Sequence, residues 1–235
     1  MQLFNTLGMQ LQEFHTVEPA KVRLYTCGPT VHDRAHIGNF RTFLFEDVLR
    51  RYLEYKGYEV KHIMNITDVD DKTILKARKQ GLSLREYTDI YTQAFFEDRD
   101  ILKIVPAHHY PRAVDHIPEM IEMIQKLLEK KQAYISNDSV YFRITAFEGY
   151  GKLSGFDSSG LIDGYRVDSD EYSKESPKDF VLWKGKKEGE DFWPSPFGEG
   201  RPGWHIECSA MSVKYLGHPL DIHCGGVDNI FPHHG

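Results

Sequence analysis

Three cysteines in 235 residues are too few, and odd in number, for a disulfide framework, so Cys27, Cys208 and Cys224 are read as free thiols or metal ligands. Long apolar runs are missing too. No stretch approaches the roughly 18 uninterrupted apolar residues that a bilayer crossing needs, so no membrane partner is expected. The opening residues MQLFNTLGMQLQEF have neither a basic segment nor a long apolar one, so no secretory leader is expected and a cytoplasmic location is. Positive charge is not in excess: the formal charge of −6 gives no whole-molecule footprint for nucleic acid, which leaves such a partner to a local patch. The best local candidate, LRRYLEYKGYEVKH, reads more simply as the solvated face of a helix. Internal repeats and low-complexity tracts are also absent.

What remains is a chain whose 40% hydrophobic content can fill the core of one large domain or two modest ones. KVRLYTCGPTV predicts a strand that breaks at Gly28-Pro29. GNFRTFLFEDVLRRYLEYKGY predicts a helix, with Phe40, Leu44, Val48 and Tyr52 recurring every four residues, Phe43, Leu49 and Leu53 flanking them, and Gly57 as the stop. YEVKHIMNITDVDD predicts a second strand ending in a carboxylate-rich turn. Strand, helix and strand in this order form the βαβ unit of a parallel sheet, whose ligands bind at the carboxyl ends of the strands. Ser83 and Glu86 form a capping box ahead of a third element, and IPEMIEMIQKLLEKK carries Ile117, Met120, Ile121, Ile124 and Leu128 on one helical face. AYISNDSVYFRI predicts a hairpin turning at Asn137-Asp138. Residues from about 145 to 202 are rich in Gly, Ser, Asp and Pro and read as an irregular insertion. The rhythm resumes with a helix in GWHIECSAMSVKYLG and a strand in PLDIHCGG.

Unusual chemistry concentrates in TCGPTVHDRAHIGN, PGWHIECSAM and DIHCGGVDNIFPHHG. The last 31 residues hold two cysteines and five of the twelve histidines, a density that invites a metal. Spacing alone does not establish one: a cysteine at a strand end is more often a small buried apolar residue, and Cys27 and Cys208 lie far outside the spacing of a local zinc knuckle. Topology favours the metal, because Cys27 ends a strand, Cys208 sits early in a helix and His233 follows another strand end. Two thiolates and an imidazole suit zinc. HIGN, from His36 to Asn39, precedes the first long helix, where Gly38 permits close approach and the helix N-terminus favours a triphosphate.

Taken together, LYTCGPTVHDRAHIGNFRT, NITDVDDKTI, HYPRAVDHIPEMI, YGKLSG, DFVLWK, GRPGWHIECSAM and DIHCGGVDNIFPHH closely resemble the cysteinyl-tRNA synthetases, a class I aminoacyl-tRNA synthetase family, from about residue 20 to the end. The resemblance implies an α/β fold with a Rossmann-type (HUP-like) parallel-sheet catalytic domain. Its first half would occupy residues 1–95, a connective-peptide insertion 96–200, and its second half 201–235. PTVHDRAHIGN would be the family's form of the HIGH signature, with Thr30, His36, Gly38 and Asn39 contacting ATP and His36 and Asn39 catalytic. Cysteine and ATP, the latter with magnesium, would give cysteinyl-adenylate, and the cysteinyl group would pass to tRNA(Cys). Such chemistry rests on positioning and charge stabilisation rather than a nucleophilic side chain.

The resemblance further implies one zinc ion, held by Cys27, Cys208 and His233, that binds the substrate thiol as a thiolate. Gly28, Thr67, Trp204, His223 and Asp228 would surround L-cysteine, Asp228 meeting its ammonium group. A monomer is expected. The family's fourth zinc ligand, a glutamate, its KMSKS loop and its anticodon-binding domain would all fall beyond Gly235, so the chain is expected to be the N-terminal part of a longer ligase, with impaired or no tRNA charging. Two other readings stand beside this one: a paralogous ligase that transfers cysteine to an amino-sugar, as in mycothiol synthesis, and a non-catalytic module binding zinc or nucleotide. Cys224 reads as a small packed residue.

Overall fold

A computed structural model describes residues 1–153, 179–230 and 233–234. Along the chain run β1 (Gln2–Asn5), β2 (Gln10–Glu13), β3 (Lys21–Thr26), α1 (Ile37–Tyr55), β4 (Glu59–Met64), α2 (Asp71–Lys79), α3 (Leu84–Ile101) and α4 (Ile117–Glu129). They are followed by β5 (Ala133–Ser136), β6 (Ser139–Phe142), β7 (Phe180–Gly185), β8 (Gly200–Pro202), α5 (Trp204–Leu216) and β9 (Ile222–Cys224). These elements make an α/β architecture divided into two compact units, one of residues 16–119 and 207–226, the other of 1–15, 120–206 and 227–235.

The first unit carries a parallel sheet in the order β4-β3-β9. Lys21 faces Glu59 and Thr26 faces Met64 in register, so β3, α1 and β4 form the expected βαβ unit. Val22, Leu24, Tyr25, Ile63 and Met64 are buried, the near-continuous apolar character of a strand covered on both faces. Gly57, at φ 89, ends the turn after α1, a conformation glycine adopts without the clash a Cβ would bring. The core beside the sheet packs Val31, Phe40, Phe43, Met64, Ile66 and Phe95 together, Phe40 stacking on Phe95 at 5.9 Å and Phe43 meeting it edge-on at 5.4 Å. α3 begins at the expected capping box, in which Ser83 accepts from the Glu86 N–H and Glu86 accepts from that of Ser83, and it runs unbroken across residues 95 and 96.

The apolar stripe of α1 is not the one its four-residue spacing suggested. Phe40, Phe43 and Leu53 are buried, but Leu44, Val48 and Tyr52 are exposed, and Glu46, Asp47 and Arg50 are buried in their place. Four residues turn a helix about 400°, so a strict four-residue series drifts around it by about 40° at each step and leaves any single face. In the packed stripe the Asp47 carboxylate accepts from the Val105 N–H and the Arg50 guanidinium donates to the Pro106 carbonyl, which lets polar residues occupy a buried face.

The second unit carries an antiparallel sheet in the order β5-β6-β7-β8. β5 and β6 form the expected hairpin, with Asn137 at φ 45 and Asp138 at φ 60, the paired positive angles of a type I′ turn. The stretch from 145 to 202 is less irregular than its composition suggested, because DFVLWK supplies β7, whose Trp183 is fully buried, and β8 pairs with it. Residues 154–178, with the end of YGKLSG, lie outside the described residues, as does Gly235. In α4, Ile117, Met120 and Ile124 are buried and Ile121 and Leu128 half-buried, the expected face.

Candidate active site

Backbone pairing continues past the carboxyl ends of β3 and β4 and fixes the residues that follow. The Cys27 N–H donates to the Cys224 carbonyl at 2.9 Å, the Val31 N–H to Thr67 at 3.0 Å and the Thr67 N–H to Pro29 at 3.0 Å, so Thr30 and Thr67 bridge like one more rung of the sheet. Gly28 sits where nothing larger fits: a Cβ there would stand 1.8 Å from the Asn65 carbonyl oxygen. Thus Cys27, Gly28, Thr30 and Thr67, four expected site residues, gather at one edge of the sheet.

α5 brings Cys208 to the same edge, with Sγ atoms of Cys27 and Cys208 3.8 Å apart. That separation is far beyond the about 2.05 Å of a disulfide. It equals the edge of a tetrahedron: two thiolates each about 2.3 Å from a zinc ion stand about 3.8 Å apart. The pair therefore fits a metal as two of its ligands. The hydrogen bond to Cys208 and then burial push the Cys27 thiol well above its ordinary range. His223, expected beside the amino acid, sets Nε2 3.4 Å from Cys27 Sγ and meets Tyr25 edge-on at 5.3 Å. Cys224, which forms no disulfide, is half-buried, and burial pushes its thiol up to about 12.

His36 caps α1. Its Nδ1 accepts from the N–H groups of Gly38 at 3.1 Å and Asn39 at 3.3 Å, and Asn39 Oδ1 accepts from the His36 N–H at 3.1 Å, a reciprocal capping box. Because Nδ1 accepts, the neutral ring carries its proton on Nε2, and because Asn39 Oδ1 is engaged, its Nδ2 hydrogens remain for other acceptors. All three residues are exposed at the positive end of a 19-residue helix.

In the other unit, Trp204 stacks on His233 with ring centroids 4.0 Å apart and planes 14° from parallel, and His205 lies 5.4 Å from His233. Burial, and next the neighbouring His233, depress the His234 imidazole to about 4. Asp228 lies exposed in a short 3-10 turn, Val227–Asn229.

Three buried polar residues at the sheet edge were not among the expected site residues. Asn65 accepts from the Gly28 N–H, Glu207 accepts from the Thr67 hydroxyl, and Glu46 on α1 has no hydrogen-bond partner for either oxygen among the described residues. Burial pushes the Glu46 carboxyl well above its usual range, and burial does the same to Glu207. A carboxylate inside an apolar run, as in FLFEDVL, is the signal that could have found Glu46.

The family described as tRNA synthetases class I (C) catalytic domain matches residues 13–235. A cysteine–tRNA ligase of Chlamydia pneumoniae is 56% identical over 238 residues, covering 100% of this chain and 50% of that protein. One of Solibacter usitatus is 53% identical over 234 residues, with the same coverage of 100% and 50%. The chain therefore spans about half the length of the curated relatives it matches. Among solved structures, Mycobacterium tuberculosis methionyl-tRNA synthetase in complex with methionyl-adenylate superposes with a TM-score of 0.68 over 89% of this chain and 52% of that one at 13% identity, a likeness of fold. With a parallel sheet of the class I type and a match over nearly its whole length, the chain belongs to the class I (C) tRNA synthetase catalytic-domain family.

Proposed function

We propose that this chain supplies the cysteine-activating part of a cysteine–tRNA ligase, which joins L-cysteine to ATP as cysteinyl-adenylate and passes the cysteinyl group to tRNA(Cys). The single observation that carries the reading is the Cys27–Cys208 thiol pair at 3.8 Å beside the Thr67 edge of the parallel sheet. Within the reading, the exposed end of α1 takes the triphosphate of magnesium ATP. His36 donates from Nε2 and Asn39 from Nδ2, while Gly38 lets the phosphates approach the backbone and Thr30 holds the loop before them. Gly28, Thr67, Trp204, His223 and Asp228 surround the amino acid, and the Asp228 carboxylate receives its ammonium group. Cys27, Cys208 and His233 hold the zinc ion. A zinc ion held there would supply a soft Lewis acid that favours the thiolate form of the substrate side chain, chemistry that serine and alanine would not match. The same reading carries the remaining expectations: a catalytic domain split by an insertion, a cytoplasmic monomer, and tRNA as the final acceptor.

The test is calorimetric. Zinc-loaded protein is titrated with non-hydrolysable cysteinyl- and seryl-adenylate mimics. The cysteinyl mimic should bind more than about 200-fold more tightly, beyond the roughly 10–200-fold that an ordinary apolar pocket achieves. Metal analysis of Cys208→Ser should show loss of zinc. Equal binding of the two mimics, or full zinc in the variant, would refute the reading.

A further inference from the structure

One buried chain of hydrogen bonds links the backbone of Gly28 to Thr67 and to α5, and its direction follows from a single donor. The Gly28 N–H can only donate, and it meets Asn65 Oδ1 at 3.1 Å. The amide is thereby oriented, so Nδ2 faces Thr67 Oγ1 at 3.1 Å and the hydroxyl must accept. The hydroxyl proton then goes to Glu207 Oε2 at 3.0 Å, and because Oε1 has no partner among the described residues, any proton that burial keeps on this carboxyl sits there and leaves Oε2 the acceptor. Cys208 Sγ lies 3.7 Å from the same Asn65 oxygen. Asn65, Thr67 and Glu207 are 1%, 2% and 0% exposed, so water does not reorganise the chain.

This arrangement decides what Thr67 can offer a ligand. Its proton and one lone pair are committed, which leaves one lone pair. From this geometry we infer that Asn65 is a positioning residue that turns Thr67 into an obligate acceptor, selecting a ligand that presents an N–H donor, and ties it to the Gly28 backbone beside Cys27. The inference rests on the proposed amino-acid site at Thr67 and deepens it: the ligand class is a thiol acid bearing a protonated amine. Were Asn65 absent, the hydroxyl could rotate and serve as donor or acceptor, and the amine would lose its preference. A purely structural network would affect every ligand alike.

The probes are L-cysteine and 3-mercaptopropionate, which keeps the thiol and carboxylate but lacks the amine. Both are titrated by calorimetry into zinc-loaded protein. Wild type should prefer cysteine. Asn65→Ala should weaken cysteine about tenfold, the effect of losing one well-oriented hydrogen bond, and leave 3-mercaptopropionate unchanged. Thr67→Val should do the same. Because Asn65→Ala also orphans the Gly28 N–H and could fail to fold, Asn65→Asp is the second variant: it keeps the size and the acceptor toward Gly28 but presents no donor to Thr67, and should show the same selective loss. Circular dichroism confirms the fold of each. Equal weakening of both ligands, or an unchanged preference in Asn65→Asp and Asn65→Ala, would overturn the inference. Equal binding of the two ligands by wild type would instead overturn the placing of Thr67 beside the amine, and it shows before any substitution is made.

Discussion

His62 makes the stability of the parallel-sheet unit depend on pH in a direction that can be worked out. It lies on β4, 3% exposed, with Nε2 3.0 Å from the Thr26 hydroxyl and its backbone N–H donating to His108 Nδ1 at 3.0 Å. Burial first, then the charges of Arg50 and His108, lower its pKa from 6.5 to about 3. As pH falls through 6.5 the unfolded chain binds a proton that the folded one refuses until about pH 3, so stability is full above 6.5 and is lost progressively below it. Each pH unit in that window costs about 1.4 kcal/mol, so the fall from pH 6.5 to 5 removes about 2 kcal/mol. The perturbation is His62→Gln, which keeps an amide beside Thr26 and does not titrate. Amide exchange in β3 and β4 reports on this unit alone, and measuring it at several pH values in wild type and variant isolates the effect. His108 is depressed as well, chiefly by burial, but it is present in both proteins and largely cancels. The advantage of wild type over variant should shrink by about 2 kcal/mol between pH 6.5 and 5. Parallel profiles would show that His62 takes up its proton in the folded state, and the argument from burial would fail.

Gly28→Ala should destabilise by about 1–3 kcal/mol or more in urea, because its Cβ would meet the Asn65 carbonyl at 1.8 Å, where only backbone movement could make room. His36→Ala should cost about 1 kcal/mol by removing the acceptor for Gly38 and Asn39, while His36→Asn should restore the cap without the imidazole. If both variants bind magnesium ATP as wild type does, measured by calorimetry, the proposed role of Nε2 falls. Asp138→Gly should raise stability by about 0.4–1 kcal/mol, since Asp138 holds φ 60 in a type I′ turn that glycine adopts without strain. An unchanged or lower urea midpoint would contradict this.

The parts of the fold legible in the sequence were those written in neighbouring residues. The strand in KVRLYT with its break at Gly28-Pro29, the capping box at Ser83 and the Asn137-Asp138 turn each involve residues a few positions apart, and each element stands as expected. α1 shows where local reading stops. Its exposed Val48 and buried Asp47 reverse what hydropathy assigns, because Asp47 is drawn inward by the Val105 N–H, 58 positions along the chain, and no periodicity records that partner. The site divides the same way. Cys27 and Cys208 could be singled out by residue type and brought together by the rule that ligands gather at strand ends. Glu207, beside Cys208, stands in the first turn of α5, where carboxylates ordinarily favour the dipole and face water. Its burial depends on a hydroxyl 140 positions away that needs an acceptor, since Asn65 has already filled one of its lone pairs. A residue whose role is to complete another residue's hydrogen bonding has no signature of its own in the chain, so Asn65 and Glu207 become visible only once the sheet edge brings Gly28, Thr67 and Cys208 within reach of one another.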